Sequence, residues 1–333
     1  MSPDPPDDLI VFDVGHGNAA VYHCSSGCVV IDAGPDSTVS GFFGDPSFTG
    51  ARYLAAVFIS HGDEDHLRGI LRLFENNTDL VVGTIFVNPE QQRATALWQS
   101  FSDEIRRLEA SGTTIVTTLT RSFPGHYEYR GCEFEVLSPP PAAVLTANRA
   151  SANRWSAVIR ISKYGTPFAL LTADIDRPAL MELLESGKDL TADYLIFPHH
   201  GGHPGGADPA TFARDLVLAV RPNTVLFSIG RDRFDNPLPS IIRAVNSIAQ
   251  RRHTRTNIAC TQLARACSAR SYPDRDVSLY SAGASSGNSC SGTLHLSLQS
   301  PPPPGRIPVE LVRHSSFVDL LVASNEHPRC RSS

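Results

Sequence analysis

The six residues from His61 to His66 read His-Gly-Asp-Glu-Asp-His and directly follow the apolar run Ala55–Ile59. Two histidines and three carboxylates brought together by a fold repel one another and lose hydration, so something positive must lie among them. A metal cation meets that need, because imidazole and carboxylate ligands suit zinc or manganese. A turn at a strand end would bring His61 and Asp63 to one ion and turn Asp65 and His66 toward a second. The alternative interpretation is a solvated acidic loop.

Two further apolar runs end in residues of the same chemistry. The run Phe168–Leu171 leads to Asp174, and the run Tyr194–Phe197 leads to His199 and His200. Each alone is a weak signal, because an aspartate at a strand end is more often a turn former or a helix cap. Together with the first segment, however, they give three ligand-rich strand ends. A two-metal site at one edge of a pair of sheets requires this arrangement.

The order of apolar runs along the chain predicts the fold class. Short β-rich runs are bounded by Gly, Pro, Asp and Asn and are predicted as strands at Leu9–Val14, Ala19–Tyr22, Cys28–Ile31, Ala55–Ile59, Val81–Val87, Ala157–Ile161, Phe168–Leu171, Tyr194–Phe197 and Thr224–Ile229. Helices are predicted at Leu67–Phe74, Gln91–Ala110, Pro178–Ser186, Pro209–Val217 and Ser240–Ile248. Strands come first and alternation follows, which favours an α/β fold of two facing sheets with helices outside, in four layers.

Composition excludes several classes of protein. The chain has 333 residues, 41% of them apolar, so it can bury a sizeable core. Its net charge of −5 argues against a protein that coats nucleic acid through a bulk positive field. The acidic, proline-rich start does not resemble a secretory signal, and the apolar runs are too short to cross a bilayer. We therefore expect a cytoplasmic protein without a membrane span, whose seven cysteines are reduced thiols.

Several ordered motifs resemble a known family, the metallo-β-lactamase fold hydrolases. They are Phe12–Ala19, Ile31–Gly34, Ser60–Gly69, Asn153–Ser156, Leu171–Asp174 and Pro198–Gly201. The resemblance covers about residues 9–297 and is closest to the branch represented by the soluble domain of the DNA-uptake protein ComEC. That branch has His-x-Asp-x-Asp-His where the wider family usually has His-x-His-x-Asp-His, and this chain has the branch form at positions 61–66.

The resemblance implies a four-layer αββα metallo-β-lactamase sandwich that holds two divalent metal ions, Zn or Mn, with Mg also allowed. In this chain His61 and Asp63 would hold one metal, Asp65 and His66 would hold the second, and Asp174 would bridge them. Either His199 or His200 would complete a coordination shell, and the sequence does not choose between them. The hydrolase domain would span residues 1–298. Residues 299–333 would form a proline-rich linker and a C-terminal tail that offers a contact for a protein partner.

Four residues are expected to face the substrate. The wider family places a further histidine ligand where this chain offers Asn153 and Ser156. The branch often carries a histidine where Asn236 stands, and aspartate is common at the position of Asn18 in the first loop.

A separate Ser/Gly-rich stretch, Ser281–Gly292, is predicted to be mobile or to form a long surface loop.

The chemistry of such a site predicts a hydrolase. Two cations about 3.5–4 Å apart lower the pKa of a bridging water and stabilise the charge that develops when the hydroxide attacks. We expect Asp65 to orient that water and Asp174 to bridge the ions. Whichever of His199 and His200 is not a ligand would hydrogen-bond the transition state or protonate the leaving group, and His200 is our candidate.

The branch resemblance favours a phosphodiesterase or nuclease acting on nucleic acid. Arginines between Ser240 and Arg270 are candidates for phosphate contacts. One alternative is a phosphodiesterase for a small substrate, such as a phosphocholine ester or a cyclic nucleotide. Another is a non-catalytic metal-binding protein of the same fold.

Overall fold

The structure is a computed structural model that describes residues 7–45, 52–89, 95–143, 152–206, 208–231, 233–251, 256–298 and 309–331. Three sequence predictions fall partly outside these ranges, the first being the helix predicted at Gln91–Ala110, of which residues 91–94 are not described. Arg252 and Arg255 of the basic stretch are not among the described residues, and neither is the proline run within residues 299–308. The domain boundary placed at residue 299 therefore stays a prediction.

Fourteen strands among the described residues form two sheets of seven. The first sheet contains β1 Asp8–Val11, β2 Ala19–Cys24, β3 Gly27–Ala33, β4 Tyr53–Ile59, β5 Val81–Val87, β6 Thr114–Val116 and β14 Leu294–Ser297, in the order β14-β1-β2-β3-β4-β5-β6. The second contains β7 His126–Tyr129, β8 Cys132–Ser138, β9 Val158–Lys163, β10 Thr166–Leu171, β11 Tyr194–Ile196, β12 Thr224–Phe227 and β13 Asn257–Cys260, in the order β13-β12-β11-β10-β9-β8-β7.

Helices cover the outer faces of both sheets. They are α1 Thr38–Gly44, α2 Glu64–Asn76, α3 Ala96–Ala110, α4 Arg177–Glu185, α5 Pro209–Val220, α6 Pro239–Arg251 and α7 Val309–Ala323. Side chains of α1, α2 and α3 pack on the first sheet, and those of α4, α5 and α6 pack on the second. None of the helices in the described ranges is long and apolar enough to span a membrane.

A third apolar cluster lies between the sheets and joins residues such as Tyr22 and Phe58 of the first sheet to Phe134 and Ile159 of the second. The molecule is therefore built in four layers, helices–sheet–sheet–helices, and the predicted α/β fold class is confirmed. The central strands are apolar along their whole length because both of their faces are covered, as β4 illustrates with six consecutive buried residues.

Parallel pairing and the facing of the two sheets bring the ends of three strands to one place. In the first sheet β3, β4 and β5 run parallel, and in the second β10, β11 and β12 run parallel. Because the carboxyl ends of parallel strands meet at one edge of a sheet, the segments after β10 and β11 lie together, and the facing sheet places the segment after β4 beside them. These are the three segments that carry His61–His66, Asp174 and His199–His200.

The Ser/Gly-rich stretch Ser281–Gly292 contains no helix or strand, which agrees with the predicted long loop, but hydrogen bonds fix it to the body of the fold, which disagrees with the alternative of a mobile segment. The buried carboxylate of Asp13 accepts hydrogen bonds from the Gly283 backbone N–H at 3.2 Å and from the Ser289 hydroxyl at 3.0 Å. Its other oxygen accepts from the Gln262 side chain at 2.9 Å. Composition signalled a flexible loop, but these bonds to a residue near the N-terminus tie the stretch to the first loop of the fold.

Candidate metal centre

The segment after β4 leads directly into a helix, and this turn orients the side chains of the candidate ligands toward the site. Asp63 is the N-cap of α2, so Asp65 and His66 lie in the first turn of the helix. His61 is fixed from behind, because its Nδ1 atom is 3.0 Å from the hydroxyl of Ser60. The Nδ1 atom of His66 is 2.7 Å from the Oδ2 atom of Asp32, at the end of β3. Both rings therefore keep their Nε2 atoms for the site.

Backbone strain marks the same edge of the molecule. Among the described residues eight non-glycine residues have positive φ, and four of them surround the site: Asp32 (52°), Ala173 (46°), His199 (51°) and His200 (54°). Such conformations cost free energy and persist where surrounding structure enforces them, often at functional sites. Here they direct Asp32 toward His66, Asp174 out of its strand, and the two adjacent histidines toward Asp174.

Four side chains form the tightest group. One ligand atom from each of Asp65, His66, Asp174 and His200 lies within 4.8 Å of the others. The Nε2 atoms of His66 and His200 are both 3.7 Å from Oδ1 of Asp174. The Nε2 atom of His200 is also 3.6 Å from Oδ2 of Asp65. Three segments distant in sequence therefore contribute to one centre.

A second group lies beside the first. The Nε2 atom of His61 is 3.4 Å from Oδ2 of Asp63. The Nδ1 atom of His199 is 3.8 Å from Oδ2 of Asp174, the oxygen that does not face His66 or His200. The two oxygens of Asp174 thus point to different histidines. Both histidines lie beside Asp174, His200 in the tight group and His199 on the other side, so neither is set apart as the non-ligand acid that was expected of His200.

The donor set fits a divalent cation. The Nε2 atoms of His61, His66, His199 and His200 are buried and have no hydrogen-bond partner among the described residues. Two ligand atoms bound to one zinc ion at about 2.0–2.2 Å in tetrahedral geometry lie roughly 3.3–3.6 Å apart. The nitrogen–oxygen distances of 3.4–3.8 Å within the two groups are too long for strong hydrogen bonds and lie at or just above that spacing.

Hydrogen bonds behind the ligands complete the pattern. Metal-bound histidines usually donate their second ring N–H to a carboxylate or a backbone carbonyl, which fixes the ring. Asp32 serves His66 in this way, and the backbone oxygen of Ser228, 2.8 Å from Nδ1, serves His200. Asp32 is itself held by the backbone N–H of Ser60 at 2.9 Å and by the Ser60 hydroxyl at 2.6 Å.

The electrostatics favour a positive guest. Burial alone would raise the pKa of the Asp174 carboxyl, but His200 and His66 hold that pKa well below its usual value. Burial likewise opposes ionisation of Asp65, and the same two histidines lower its pKa. Burial alone would lower the pKa of His66, yet the carboxylates of Asp32 and Asp174 hold it well above its usual value. The site therefore keeps its carboxylates ionised and attracts cationic character.

The candidate substrate residues lie at different distances from this centre. Asn18 is buried, its side-chain amide has no hydrogen-bond partner within the described ranges, and its backbone N–H is 3.3 Å from the Asp65 oxygen. The side-chain nitrogen of Asn236 is 3.5 Å from the backbone oxygen of His199. Asn153 and Ser156 belong to a turn joined to the segment of Ser60 in two ways: the Ala157 backbone N–H donates to the Ser60 backbone oxygen at 2.9 Å, and the Asn88 side chain donates to the backbone oxygens of Ser60 and Trp155 at 2.5 and 2.6 Å.

His16 is a site residue whose role the sequence did not assign. Its ring centroid lies 4.1 Å from that of His200, and its Nε2 atom is 3.9 Å from Oδ2 of Asp65. Burial lowers the pKa of His16 to about 3, and His200 and Arg233 act in the same direction. Asp32 was part of a recognised motif without a role. The signal for both was their membership of the motifs Phe12–Ala19 and Ile31–Gly34.

Comparisons with known proteins give structural likenesses only. No protein-family model matches the chain, and no curated protein matches it. One similar solved structure is Igni18, described as a novel metallo hydrolase from Ignicoccus hospitalis, with 13% identity, a TM-score of 0.43, and coverage of 75% of this chain and 94% of that one.

Two other similar structures are a metallo-beta-lactamase superfamily protein and a metallo-beta-lactamase. The ST1585 protein from Sulfolobus tokodaii, described as a metallo-beta-lactamase superfamily protein, has 14% identity and a TM-score of 0.36 over 64% of this chain and 86% of its own. The Rm3 metallo-beta-lactamase has 13% identity and a TM-score of 0.34 over 63% and 80%. At such scores the case for the site rests on its own geometry.

Proposed function

We propose that this chain is a metal-dependent phosphodiesterase of the metallo-β-lactamase type, in the ComEC-like branch, and that it cleaves nucleic acid. The observation that carries the proposal is the convergence of Asp65, His66, Asp174 and His200 on one point, with unpaired ring nitrogens facing carboxylate oxygens. A buried polar group without a partner costs about 1–3 kcal/mol of folding free energy. Four unpaired Nε2 atoms close together therefore indicate a site that binds a ligand.

The chain offers ligands for two ions, zinc or manganese. Asp65, His66 and His200 would hold one with Oδ1 of Asp174, while His61, Asp63 and His199 would hold the other with Oδ2. Such ions supply an activated water and neutralise the negative charge that develops on a phosphoryl group. The branch form of the motif at positions 61–66, which has carboxylates where the β-lactam-cleaving relatives have more histidines, supports a phosphodiester over a β-lactam substrate.

The remaining side chains of the site are suited to orientation. Asp65 has an oxygen between His16 and His200, 3.9 and 3.6 Å from their Nε2 atoms, and would position the attacking water. The unpaired amide of Asn18 lies in the same first loop as His16 and would bind a substrate oxygen. Asn236, held beside His199, would orient the leaving side of the substrate.

The test is cleavage of end-labelled single- and double-stranded DNA and RNA with Mn²⁺, Mg²⁺ or Zn²⁺. We expect wild-type protein to cleave at least one polymer and Asp174→Ala to lose on the order of a thousandfold or more of that activity. The matched control is Asp103→Ala, an exposed aspartate paired with Arg106 on α3, which should keep wild-type activity.

Two results would overturn the nucleic-acid assignment. Hydrolysis confined to cyclic nucleotides or phosphocholine esters, and absent in Asp174→Ala, would identify a small-molecule phosphodiesterase. No hydrolysis of any of these substrates with any of the three metals would favour a non-catalytic metal-binding protein.

A further inference from the structure

An exposed aromatic ring stands at the mouth of the candidate metal centre. Phe234 is 56% exposed, although large apolar side chains usually bury themselves. Its ring centroid lies 4.7 Å from that of His16, and the His16 ring lies against His200 at 4.1 Å. The guanidinium of Arg233, also exposed, is 5.9 Å from the Phe234 ring centroid. We call Phe234 and Arg233, backed by His16, the platform.

The platform is held in place on one side by a buried arginine. Arg231 donates to the backbone oxygens of Leu263 and Ser268 at 2.9 and 2.7 Å, and its own backbone N–H donates to Gln262 at 2.9 Å. The preceding Gly230 passes so close to the first loop that a Cβ there would lie 2.6 Å from the His16 nitrogen. This contact sets the platform segment directly against His16.

A second arginine holds the other side. Arg329, after α7, donates to the backbone oxygens of Asp235 and Pro237 at 2.6 and 2.7 Å. It also forms an ion pair with the Asp235 carboxylate at 2.6 Å. Phe234 therefore stands between two anchored residues, and its exposure is imposed by the fold.

The chemistry of the platform matches an unpaired nucleobase. Proteins that bind single-stranded nucleic acid stack bases on aromatic side chains and use arginine beside them for further stacking and for phosphates. A choline group fits the platform less well, because its positive charge would be repelled by Arg233. A base inside a duplex also fits less well, because it already has stacking partners on both faces.

We propose that Phe234, together with Arg233, stacks a nucleobase next to the scissile phosphate, which makes single-stranded nucleic acid the substrate class. This inference rests on the proposed phosphodiesterase function, since it places the base relative to the phosphate that the metal centre would hold. Phe234 and Arg233 would then determine specificity, while the ligands carry out the hydrolysis.

The test compares an octamer of thymidine with an octamer of the same length in which every base is replaced by a hydrogen. We expect wild type to cleave the thymidine polymer with a kcat/KM about tenfold to a hundredfold higher, the size of one base–aromatic stack. Phe234→Leu should lose most of that preference, because its KM for the thymidine polymer should rise toward its KM for the abasic polymer. Phe234→Trp should retain the preference.

The matched control is Tyr164→Leu. Tyr164 is an aromatic residue that is 66% exposed in the turn before β10, at the opposite end of that strand from Asp174. It should leave both rates unchanged. Equal cleavage of both polymers by wild type, or a preference for duplex, would overturn the platform while leaving the phosphodiesterase intact.

If wild type cleaves neither polymer, the proposed function fails. The platform is then tested by a binding measurement. Fluorescence anisotropy of labelled thymidine and abasic octamers would then be measured on wild type and Phe234→Leu. Tighter binding of the thymidine octamer that disappears in Phe234→Leu would support the platform. Equal binding of the two octamers would overturn it.

Discussion

Two regions among the described residues can be compared through histidines whose buried Nε2 atom has no hydrogen-bond partner. Four of them, His61, His66, His199 and His200, lie at the metal centre, and His314 lies in α7. Ring nitrogens of the first four lie 3.4–3.8 Å from carboxylate oxygens. The charged groups that act on His314 are instead the guanidiniums of Arg275 and Arg331, and burial lowers its pKa to about 3.

The difference shows what identifies a cation site. An unpaired imidazole nitrogen occurs in both regions, so by itself it indicates no ligand. Where carboxylates lie around the unpaired nitrogen, nitrogen and oxygen atoms together can coordinate a cation. Where arginines lie around it, they favour the uncharged form of the ring within an apolar core. Substitutions at the candidate metal centre should therefore change metal binding and activity. A substitution at His314 should instead change how the free energy of unfolding depends on pH.

The largest predicted contrast is between His66→Leu and His314→Leu. Removing His66 takes away a ligand from the tight group, so kcat/KM for the cleaved polymer should fall by on the order of a thousandfold. His314→Leu fills a similar volume without a polar atom and should leave kcat/KM within about twofold, since the charged groups that act on His314 are Arg275 and Arg331 and not the residues of the candidate centre. Similar losses in the two variants would break the comparison.

A smaller effect is predicted for Asp32→Asn. Asp32 holds the Nδ1 side of His66 at 2.7 Å, and such partners typically contribute 10–100-fold in metal affinity. Competition with a fluorescent chelator should show Mn²⁺ affinity weakened by about that factor, with secondary structure retained in the circular dichroism spectrum. Asp103→Asn, on exposed α3, serves as the control. Unchanged affinity in Asp32→Asn would deny that Asp32 supports a ligand.

The smallest effect is the acid response of His314. Its pKa is about 3 in the folded protein and 6.5 in the unfolded chain, so the unfolded state binds more protons between these values. Stability should therefore fall as pH drops below about 6.5, by up to about 1.4 kcal/mol per pH unit from this residue, and should not change on its account above that pH.

Urea unfolding between pH 7.5 and 4.5 in the presence of a chelator measures this response. The free energy of unfolding of His314→Leu should fall less steeply with acid than that of wild type. Parallel curves for the two proteins would show that His314 is not held neutral by its surroundings.

Much of the candidate metal centre was predictable because its signals are local. Ligands at the ends of apolar strands, such as His61 after β4 and Asp174 after β10, can be recognised from neighbours a few residues away. The four-layer fold followed from the same alternation of strands and helices. In each sheet, the pairing of parallel strands then places such ends at one edge, and no further local signal in the sequence is needed.

The parts that escaped prediction depend on contacts between distant residues. The placement of His199 and His200 on two sides of Asp174 depends on the left-handed backbone at both positions and on the carbonyl of Ser228, which fixes the His200 ring. The hold of Asp32 on His66 and of Arg329 on the platform joins residues 34 and more than 90 positions apart. The packing of Ser281–Gly292 likewise depends on Asp13, about 270 residues earlier.

The most direct test of the central claim is the binding of Mn²⁺, followed by electron paramagnetic resonance and isothermal titration on the full chain. Manganese prefers oxygen and imidazole ligands, so the seven cysteines do not compete for it. The account predicts that wild type and His314→Leu bind at least one equivalent and that Asp174→Ala binds none at the same concentrations. Wild type that binds no manganese, or Asp174→Ala that binds it equally well, would contradict a metal centre at these residues.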